Sequence, residues 1–399
     1  MNGNLKGNPV KQLVVFSDDW GRHPSSCQHL VKQLMVDHEV FWVNTIGTRS
    51  PRLNLATFKR FIGKLKQWCR RGQPTDSQPN CHQEQVQHAP LVLNPLMWPW
   101  FRTRFDRWLN RRLLTRAINK ALADAPRPRA AITTIPLTAD LVGSLDVDIW
   151  IYYCVDDLAS WPGLDAKPLQ QMESDLLQHV DAVVSVSDNL QGRLESLGRT
   201  STLISHGVEL AHWSGNNAGP FVDQLLQGAV DPLIVFWGLI DDRLQSNWVL
   251  ALAEQLEKGV IILAGPIESL PDALRNHPNV RAVGPVPYDQ LPDLASRAAV
   301  LIMPYRDITA TRAMQPLKLK EYLATGLPCI VRRLPATETW ADSLDQVDSQ
   351  EEFVETTINR LAVGLPPAQA NSRLGLVDES WDAKANALRE VLSLINKVS

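Results

Sequence analysis

The chain has no apolar run near the roughly 20 residues that a membrane-spanning helix needs. Its start, MNGNLKGNPV, lacks the apolar core of a signal peptide, so the sequence predicts a cytoplasmic protein. The five cysteines are scattered and form no C-x-x-C pair, which is typical of a reducing compartment and argues against a disulfide framework. Cys81 and His88 have no second ligand pair to complete a set, so we predict no metal site.

Short β-rich runs alternate with helical patterns, which predicts an α/β protein with largely parallel sheets. The 399 residues favour two domains, and the Gly- and Asn-rich stretch 213–220 is the natural boundary. We therefore expect an acceptor-side domain at 1–212, a linker at 213–230, a donor-side domain at 231–379 and a packing helix at 380–399. The predicted strands are 12–17, 40–44, 130–134, 149–153, 182–187, 201–205, 232–238, 260–265, 279–284, 299–304 and 328–331. The predicted helices are 25–36, 104–123, 168–179, 245–258, 288–296, 312–325, 351–362 and 380–398.

Neither half carries G-x-G-x-x-G after its first strand, which argues against an ordinary dinucleotide dehydrogenase. The first strand instead leads into SDDWGRHPSS, and the second domain opens with FWGLIDDR. Two similar α/β domains in tandem predict a site at the carboxyl ends of the strands, in the cleft between them.

The stretch QPLKLKEYLATGLPCIV, residues 315–331, predicts a helix followed by a strand. Pro316 suits the first turn and Gly326 the residue past the end. Lys318 then lies beside free backbone N–H groups, a pairing that suits a diphosphate. Glu321 faces the same way, and a carboxylate there suits the vicinal hydroxyls of a ribose. A surface salt bridge between Lys318 and Glu321 is the alternative.

The longer stretch MPYRDITATRAMQPLKLKEYLATGLPCIV resembles the donor-binding signature of GT-B glycosyltransferases of the family-4-like retaining type, similar to those of surface-polysaccharide and teichuronic-acid biosynthesis. The likeness extends to 152–163, 181–198, 204–213 and 238–244. It implies an α/β GT-B fold, with two Rossmann-like domains facing each other across a cleft. It also implies a UDP-, GDP- or dTDP-sugar as donor substrate and no required cofactor.

The resemblance assigns donor contacts to particular residues. Glu321 would bind the ribose hydroxyls and Lys318 would lie near the diphosphate. Gly238 permits close backbone approach to a phosphate, and Arg243 offers a fork of donors to it. Tyr288 would stand beside the base pocket at 284–291. Each assignment has an alternative. Gly238 could be a plain turn glycine, Arg243 could pair with Asp241 or Asp242, and 284–291 could be a simple turn before a helix.

The signature departs from the family pattern at Ala313, eight residues before Glu321. Many relatives have a glutamate there that helps to hold the donor sugar. Thr309, Thr311 or backbone N–H groups of the same loop are the candidates to replace it. Pro316 is the first residue of the signature's core, P-x-K-x-x-E, which the resemblance assigns to the nucleotide-sugar site.

Three residues are candidates for contact with the acceptor or the donor sugar. Asp156 and Asp157 follow an apolar strand, where a parallel sheet presents its site residues, although Asp157 also suits a helix cap. His23 lies in the loop after the first strand, where it could orient an acceptor; the alternative is a solvated loop histidine. In the mechanism proposed for the retaining family, the leaving diphosphate takes the acceptor's proton, so no pair of catalytic carboxylates is needed.

Positive charge is concentrated between residues 49 and 129, with 17 Lys and Arg against 4 Asp and Glu. Residues 56–72 and 96–114 combine aromatic and basic side chains, as an interfacial helix on an anionic membrane does. The alternative is that the aromatic side chains face the core. RNA binding by this region is a lesser hypothesis, and no nucleic-acid partner is expected.

The sequence thus predicts a hexosyltransferase-type enzyme that moves a sugar from a nucleotide-sugar to a glycan or lipid-linked acceptor, with retention, at the cytoplasmic face of a membrane. Two alternatives remain open. One is a GT-B-shaped sugar-nucleotide epimerase, which would leave the basic insert unexplained. The other is a non-catalytic sugar-nucleotide or glycan-binding protein, which the loss of the glutamate at Ala313 favours.

Overall fold

A computed structural model describes residues 9–21, 25–45, 89–161, 164–214 and 219–398. It contains two parallel sheets whose central strands are buried on both faces, as their apolar runs predict. Strands β1 to β7 form the first sheet: Gln12–Ser17, Glu39–Asn44, Leu91–Leu93, Arg129–Thr133, Ile149–Cys154, Ala182–Ser185 and Thr202–Leu203. Strands β8 to β13 form the second: Leu233–Trp237, Val260–Ala264, Val280–Gly284, Val300–Met303, Cys329–Arg332 and Asp345–Val347.

Both sheets reverse their strand order in the middle. The first runs β3-β2-β1-β4-β5-β6-β7, and the second runs β10-β9-β8-β11-β12-β13. In the second sheet β8 pairs in parallel with β9 on one side and β11 on the other. Ligands of such sheets bind outside the carboxyl ends of the strands at this switch point, which here lies beyond Trp237 and Met303.

The helices follow the strands in the alternating order expected of an α/β fold. Side-chain caps start several of them: Ser25 accepts from the Gln28 N–H, and Thr103 accepts from the Asp106 N–H. In chain order, helices α1 to α8 are Ser26–Leu34, Arg104–Ala121, Ala166–His179, Asp188–Ser196, Leu210–Trp213, Pro220–Leu225, Ser246–Gln255 and Asp272–Arg275. Helices α9 to α15 are Leu291–Ser296, Thr309–Ala313, Leu317–Ala324, Pro335–Glu338, Gln350–Val363, Pro367–Ser372 and Trp381–Val398.

The described chain divides into two compact units with different boundaries from those expected. The first holds the described residues up to Cys154, then Leu158–Val184 and the last helix from Glu390; the second holds Val155–Asp157 and Ser185–Arg389. The segment after β6 packs within the second unit: the buried amine of Lys320 donates to the His206 carbonyl, and Val208 forms a parallel bridge with Ser380. Helix α15 buries Trp381, Ala385, Leu388, Val391 and Leu392, as its periodicity predicts.

The predicted helix 312–325 is wrong, because the chain there forms two helices. Helix α10 ends at Ala313 and α11 begins at Leu317, with extended backbone at Met314 and Pro316 between them. Pro316 has no N–H to donate, and it disfavours the helical conformation of the residue before it. The short edge strands β3 and β13 were not predicted from the sequence, since three residues carry little periodicity.

Within the described ranges, no helix is long and apolar enough to cross a membrane. The same part of the chain contains no group of three or more His, Cys, Asp or Glu side chains arranged to hold a metal ion.

Candidate functional site

The amine of Lys318 lies at the switch point of the second sheet. Helix α11 carries it in its first turn, 4.3 Å from the ring centre of Phe236 in β8 and 5.0 Å from that of Tyr305, which follows β11. The nitrogen is buried and has no hydrogen-bond partner among the described residues. Two aromatic faces attract a cation, but burial of an ammonium without an acceptor is costly. An anionic ligand that accepts a hydrogen bond from the Lys318 amine would therefore be stabilised at this site.

Glycine is required beside this amine. Gly238 follows β8 with φ of +137°, and a Cβ atom at that position would lie 2.0 Å from the Lys318 Nζ. Gly265 follows the neighbouring β9 with φ of +145°, and its Cβ would lie 1.8 Å from the Gly238 carbonyl oxygen. Two bare backbone segments thus meet at the carboxyl ends of adjacent strands, which leaves room for a ligand close to the main chain.

Substitution of Gly265 by alanine is expected to lower the free energy of unfolding by at least about 2 kcal/mol, since the new Cβ meets a backbone carbonyl and the backbone conformation disfavours L side chains. Urea unfolding measures the change. Gly228→Ala is the matched control: its φ is +73°, but nothing lies within 4 Å of the added Cβ, so it should cost about 1 kcal/mol. Equal losses in the two variants would contradict the close approach of Gly265 and Gly238.

Glu321 lies one turn further along α11, on the same side as Lys318. The Trp237 indole N–H donates to its Oε2 at 3.4 Å. Burial raises the pKa of Glu321 to about 7, although the Trp237 hydrogen bond and the Lys318 charge both lower it. In the described structure the two side chains interact electrostatically without a direct ion pair, so the surface salt bridge considered above is not formed.

Trp237 is held rigidly between aromatic neighbours. Its indole stacks on Trp213 at 5.5 Å and meets Tyr322 edge-on at 4.2 Å. The Tyr322 hydroxyl accepts from the Trp237 backbone N–H at 3.0 Å and donates to the Ile302 carbonyl at 3.3 Å. This buried network fixes the orientation of the indole N–H that reaches Glu321.

Tyr288 lies close to the same carboxylate. Its ring stacks on His212 at 4.3 Å with an interplanar angle of 3°, and His212 Nε2 is 3.1 Å from the Tyr288 carbonyl oxygen. Burial raises the pKa of Tyr288, and the charges of Glu321 and Glu209 raise it further. Tyr288, predicted to lie beside the base pocket, is therefore within electrostatic range of Glu321, the residue predicted to bind the ribose.

Arg243 is held in the loop after β8 by Asp241. Its Nε donates to both carboxylate oxygens at 3.0 and 2.9 Å, and the loop is tied to the chain after β11 by the Arg306 N–H, which donates to the Arg243 carbonyl. Burial lowers the pKa of Arg243, but the Asp241 hydrogen bond and nearby charges, including that of Asp156, raise it above its ordinary value. The predicted Asp241 pairing is present, and the Arg243 Nη1 donates toward the Met314 sulfur at 3.9 Å.

Residues 231–362 match the family described as Glycosyl transferases group 1. That range includes Gly238, Arg243, Tyr288, Lys318 and Glu321. The second unit carries a glycosyl transferase group 1 domain.

Comparisons with whole proteins agree with this group 1 domain. TuaH of Bacillus subtilis (strain 168), named as a teichuronic acid biosynthesis glycosyltransferase, is 28% identical over 179 residues. The match covers 43% of this chain and 45% of TuaH, so it spans about half the length of that relative.

Solved structures resemble the chain over nearly its whole length. Sucrose-phosphate synthase from Thermosynechococcus elongatus is 15% identical with a TM-score of 0.68, covering 98% of this chain and 100% of its own. HepE of Anabaena, solved with UDP and glucose, is 12% identical with a TM-score of 0.67, covering 96% and 100%. These likenesses confirm the predicted α/β GT-B fold with two Rossmann-like domains.

The loop before the helix of Lys318 is closed by Thr311. The Thr311 hydroxyl donates toward the Arg306 and Ile308 carbonyls and accepts from the Ile308 N–H at 3.1 Å, and the side chain is fully buried. In the group 1 domain Thr311 therefore holds the loop together. Its hydroxyl could contact a donor sugar only if these hydrogen bonds rearranged. Pro316 is the extended residue immediately before α11. Ala313 ends α10 with a methyl group that cannot hydrogen-bond a sugar.

The three residues predicted to contact the acceptor or the donor sugar are Asp156, Asp157 and His23. Asp156 lies within electrostatic range of Arg243, and its Oδ1 accepts from the Asp157 N–H at 3.0 Å. Asp157 pairs with Arg193 at 3.4 Å, so its charge is engaged in the second unit. His23 lies outside the described residues.

Sequence reasoning missed Gly265 and Trp237 as parts of the group 1 domain's site. Both have a recognisable signal, since each lies at the carboxyl end of a predicted central strand. Trp237 precedes Gly238 in the chain, and Gly265 ends the neighbouring predicted strand. Parallel strands bring such ends to one edge of the sheet, so a glycine ending two neighbouring strands is a marker of close backbone approach.

Proposed function

We propose that the chain is a glycosyltransferase that binds a nucleotide-sugar in its group 1 domain and transfers the sugar to a glycan or lipid-linked acceptor. One observation carries the proposal: the buried Lys318 amine has no hydrogen-bond acceptor at the sheet's switch point. A diphosphate would supply that acceptor. Glu321, one helical turn on, would then accept hydrogen bonds from the ribose hydroxyls.

The cations of this site fit the retaining transfer that the family resemblance implies. In such a step the bond between the anomeric carbon and the diphosphate oxygen breaks, and a bond to the acceptor oxygen forms on the same face. The leaving diphosphate takes the acceptor's proton, while Lys318 and Arg243 stabilise the negative charge that develops on it. Asp156, near Arg243, is the side chain we propose for contact with the acceptor hydroxyl or the donor sugar.

The names of the relatives suggest which substrates to test first. HepE was solved with UDP and glucose, so UDP-glucose is our first donor. TuaH is named for teichuronic acid biosynthesis, so a polysaccharide or its lipid-linked precursor is our first acceptor class.

Ala313 favours a second candidate function. A side chain without a polar atom at the position where many family members hold the donor sugar is consistent with a protein that binds a nucleotide-sugar and does not transfer it. Binding with no turnover in the presence of a broad set of acceptors would support this candidate.

A thermal-shift screen with UDP, GDP, ADP and dTDP, followed by their sugars, tests the proposal. Ligand at about 100 times its Kd should stabilise the protein by about 2.7 kcal/mol. The best nucleotide-sugar is then assayed for diphosphate release with acceptors present and absent. Absence of a shift with all four diphosphates would refute the donor site, whereas a shift without acceptor-dependent release would favour the binding protein.

A further inference from the structure

Helix α2 has one face packed in the first unit and one face open to solvent. It buries Asn110, Leu114 and Ile118, which recur at intervals of four residues. The opposite side is exposed along its length. We call it the basic aromatic face, and its members are Arg104, Phe105, Trp108, Arg112 and Arg116.

The aromatic side chains on this face are not part of the core. Phe105 is 62% exposed and Trp108 is 52% exposed, although large aromatic residues are usually covered in a folded domain. Their ring centres lie 5.9 Å apart, so they form one apolar patch. The alternative considered from the sequence, that the aromatics of this region face the core, does not hold for these two.

The charge on the face has one sign. Helix α2 contains a single acidic residue, Asp106, and its carboxylate accepts from the Trp98 indole at 2.8 Å and from the Thr103 N–H at 2.9 Å. It is therefore engaged at the start of the helix, away from the arginines. The guanidinium of Arg112 lies over the ring of Trp108, 5.9 Å from its centre.

We propose that the basic aromatic face docks on an anionic lipid surface. The arginines match the phosphates of lipid headgroups, and the adjoining Phe105 and Trp108 suit the boundary between headgroups and acyl chains. One face of the Trp108 ring lies under the Arg112 guanidinium, which leaves only the other face to stack on a nucleobase and favours lipid over RNA.

Charge argues against the other occupants of this face. A second copy of it would bring arginines against arginines. Residues 46–88 of the same chain contain eight Lys and Arg against two Asp and Glu, so that segment carries the same sign. An anionic partner is the complementary one. The proposal does not rest on the proposed transferase activity.

Vesicle flotation of the full chain tests it. The wild type should float with phosphatidylcholine vesicles in which about a third of the lipid is phosphatidylglycerol, and should not float with phosphatidylcholine alone. Each arginine near such a surface contributes roughly fivefold to the partition constant, so R104E/R112E/R116E should lower it at least about 100-fold. F105S/W108S should lower it about tenfold or more, by removing the apolar contact.

Matched variants separate the face from general charge and hydrophobicity. K32E/K258E/R275E reverses three exposed cations elsewhere, and L374S/V377S removes two exposed apolar side chains elsewhere; both should float like the wild type. Each variant is first shown to keep the wild-type melting temperature. The proposal is overturned if the wild type does not bind anionic vesicles, or if the triple arginine variant binds them as tightly as the wild type. Binding to single-stranded RNA without binding to vesicles also overturns it.

Discussion

Replacement of Lys318 by methionine is expected to weaken binding of the preferred nucleoside diphosphate by about 10- to 100-fold while leaving binding of its nucleoside nearly unchanged. The amine is the group that meets the phosphates, and a hydrogen bond to a charged partner contributes about 1.5 to 3 kcal/mol. Methionine retains the apolar stem between Phe236 and Tyr305, so the packing at the switch point is kept. Calorimetric titration with the diphosphate and the nucleoside gives both affinities.

The same substitution should leave the unliganded protein as stable as before, or more stable. The wild-type ammonium is buried with no hydrogen-bond acceptor among the described residues, and its removal relieves that cost. Lys258→Met, at an exposed position, is the control and should alter neither affinity nor melting temperature. An equal loss of affinity for diphosphate and nucleoside, or a clear drop in the unliganded melting temperature, would show that Lys318 is structural.

Lys318 and Lys320 show what could be predicted from the sequence and what could not. Helical geometry alone places two lysines separated by one residue on different sides of α11. What each side meets depends on distant chain segments. Lys318 meets the ends of two strands, whereas Lys320 pairs with Glu379, 59 residues away, and burial lowers its pKa to about 8 despite that pairing. The family resemblance pointed to Lys318, but helical geometry by itself does not tell the cation without a hydrogen-bond partner from the paired one.

The central strands and the helix ends were predictable because local signals determine them. Buried parallel strands have continuous apolar runs, and Ser25 and Gly326 lie where the cap and turn rules place them. A glycine at the end of a strand is a local signal, but the contact of Gly265 with Gly238 also depends on the pairing and register of β8 against β9, which no local pattern encodes. The exposure of Phe105 and Trp108 could not be predicted either, because the same pattern of aromatic and basic residues occurs whether the aromatic side chains face the core or the solvent.

Substitution of Glu321 by glutamine should weaken nucleotide-sugar binding by about 10- to 100-fold above neutral pH, because the ribose hydroxyls lose a charged acceptor. The pH dependence should change as well. The pKa of Glu321 is about 7 in the unliganded protein, so its carboxyl is largely protonated in mild acid and must lose that proton to accept both hydroxyl donors. Wild-type affinity should therefore rise, by up to about tenfold per pH unit, as the pH rises towards 7, and then level off. The glutamine variant should not show this rise.

A nucleotide-sugar is the right probe for this profile, since its diphosphate is a diester and does not titrate in this range. The unliganded protein supplies an independent readout. Because the pKa of Glu321 rises from 4.5 to about 7 on folding, its contribution to stability is present below 4.5 and is lost as the pH rises towards 7. The glutamine variant should flatten that part of the stability profile, and Glu254→Gln, at an exposed position on α7, should not.

The ribose role itself is separated from a general effect of charge by removing the hydroxyl. A 2′-deoxy diphosphate should bind the wild type more weakly than the ribose form, because Glu321 then lacks one donor. It should bind the glutamine variant with a smaller penalty, and the difference between the two penalties is the coupling between the carboxylate and the 2′-hydroxyl. Equal penalties in both proteins would place the ribose away from Glu321, and the carboxylate would then act on the site only through Lys318 and Trp237, the two groups that already lower its pKa.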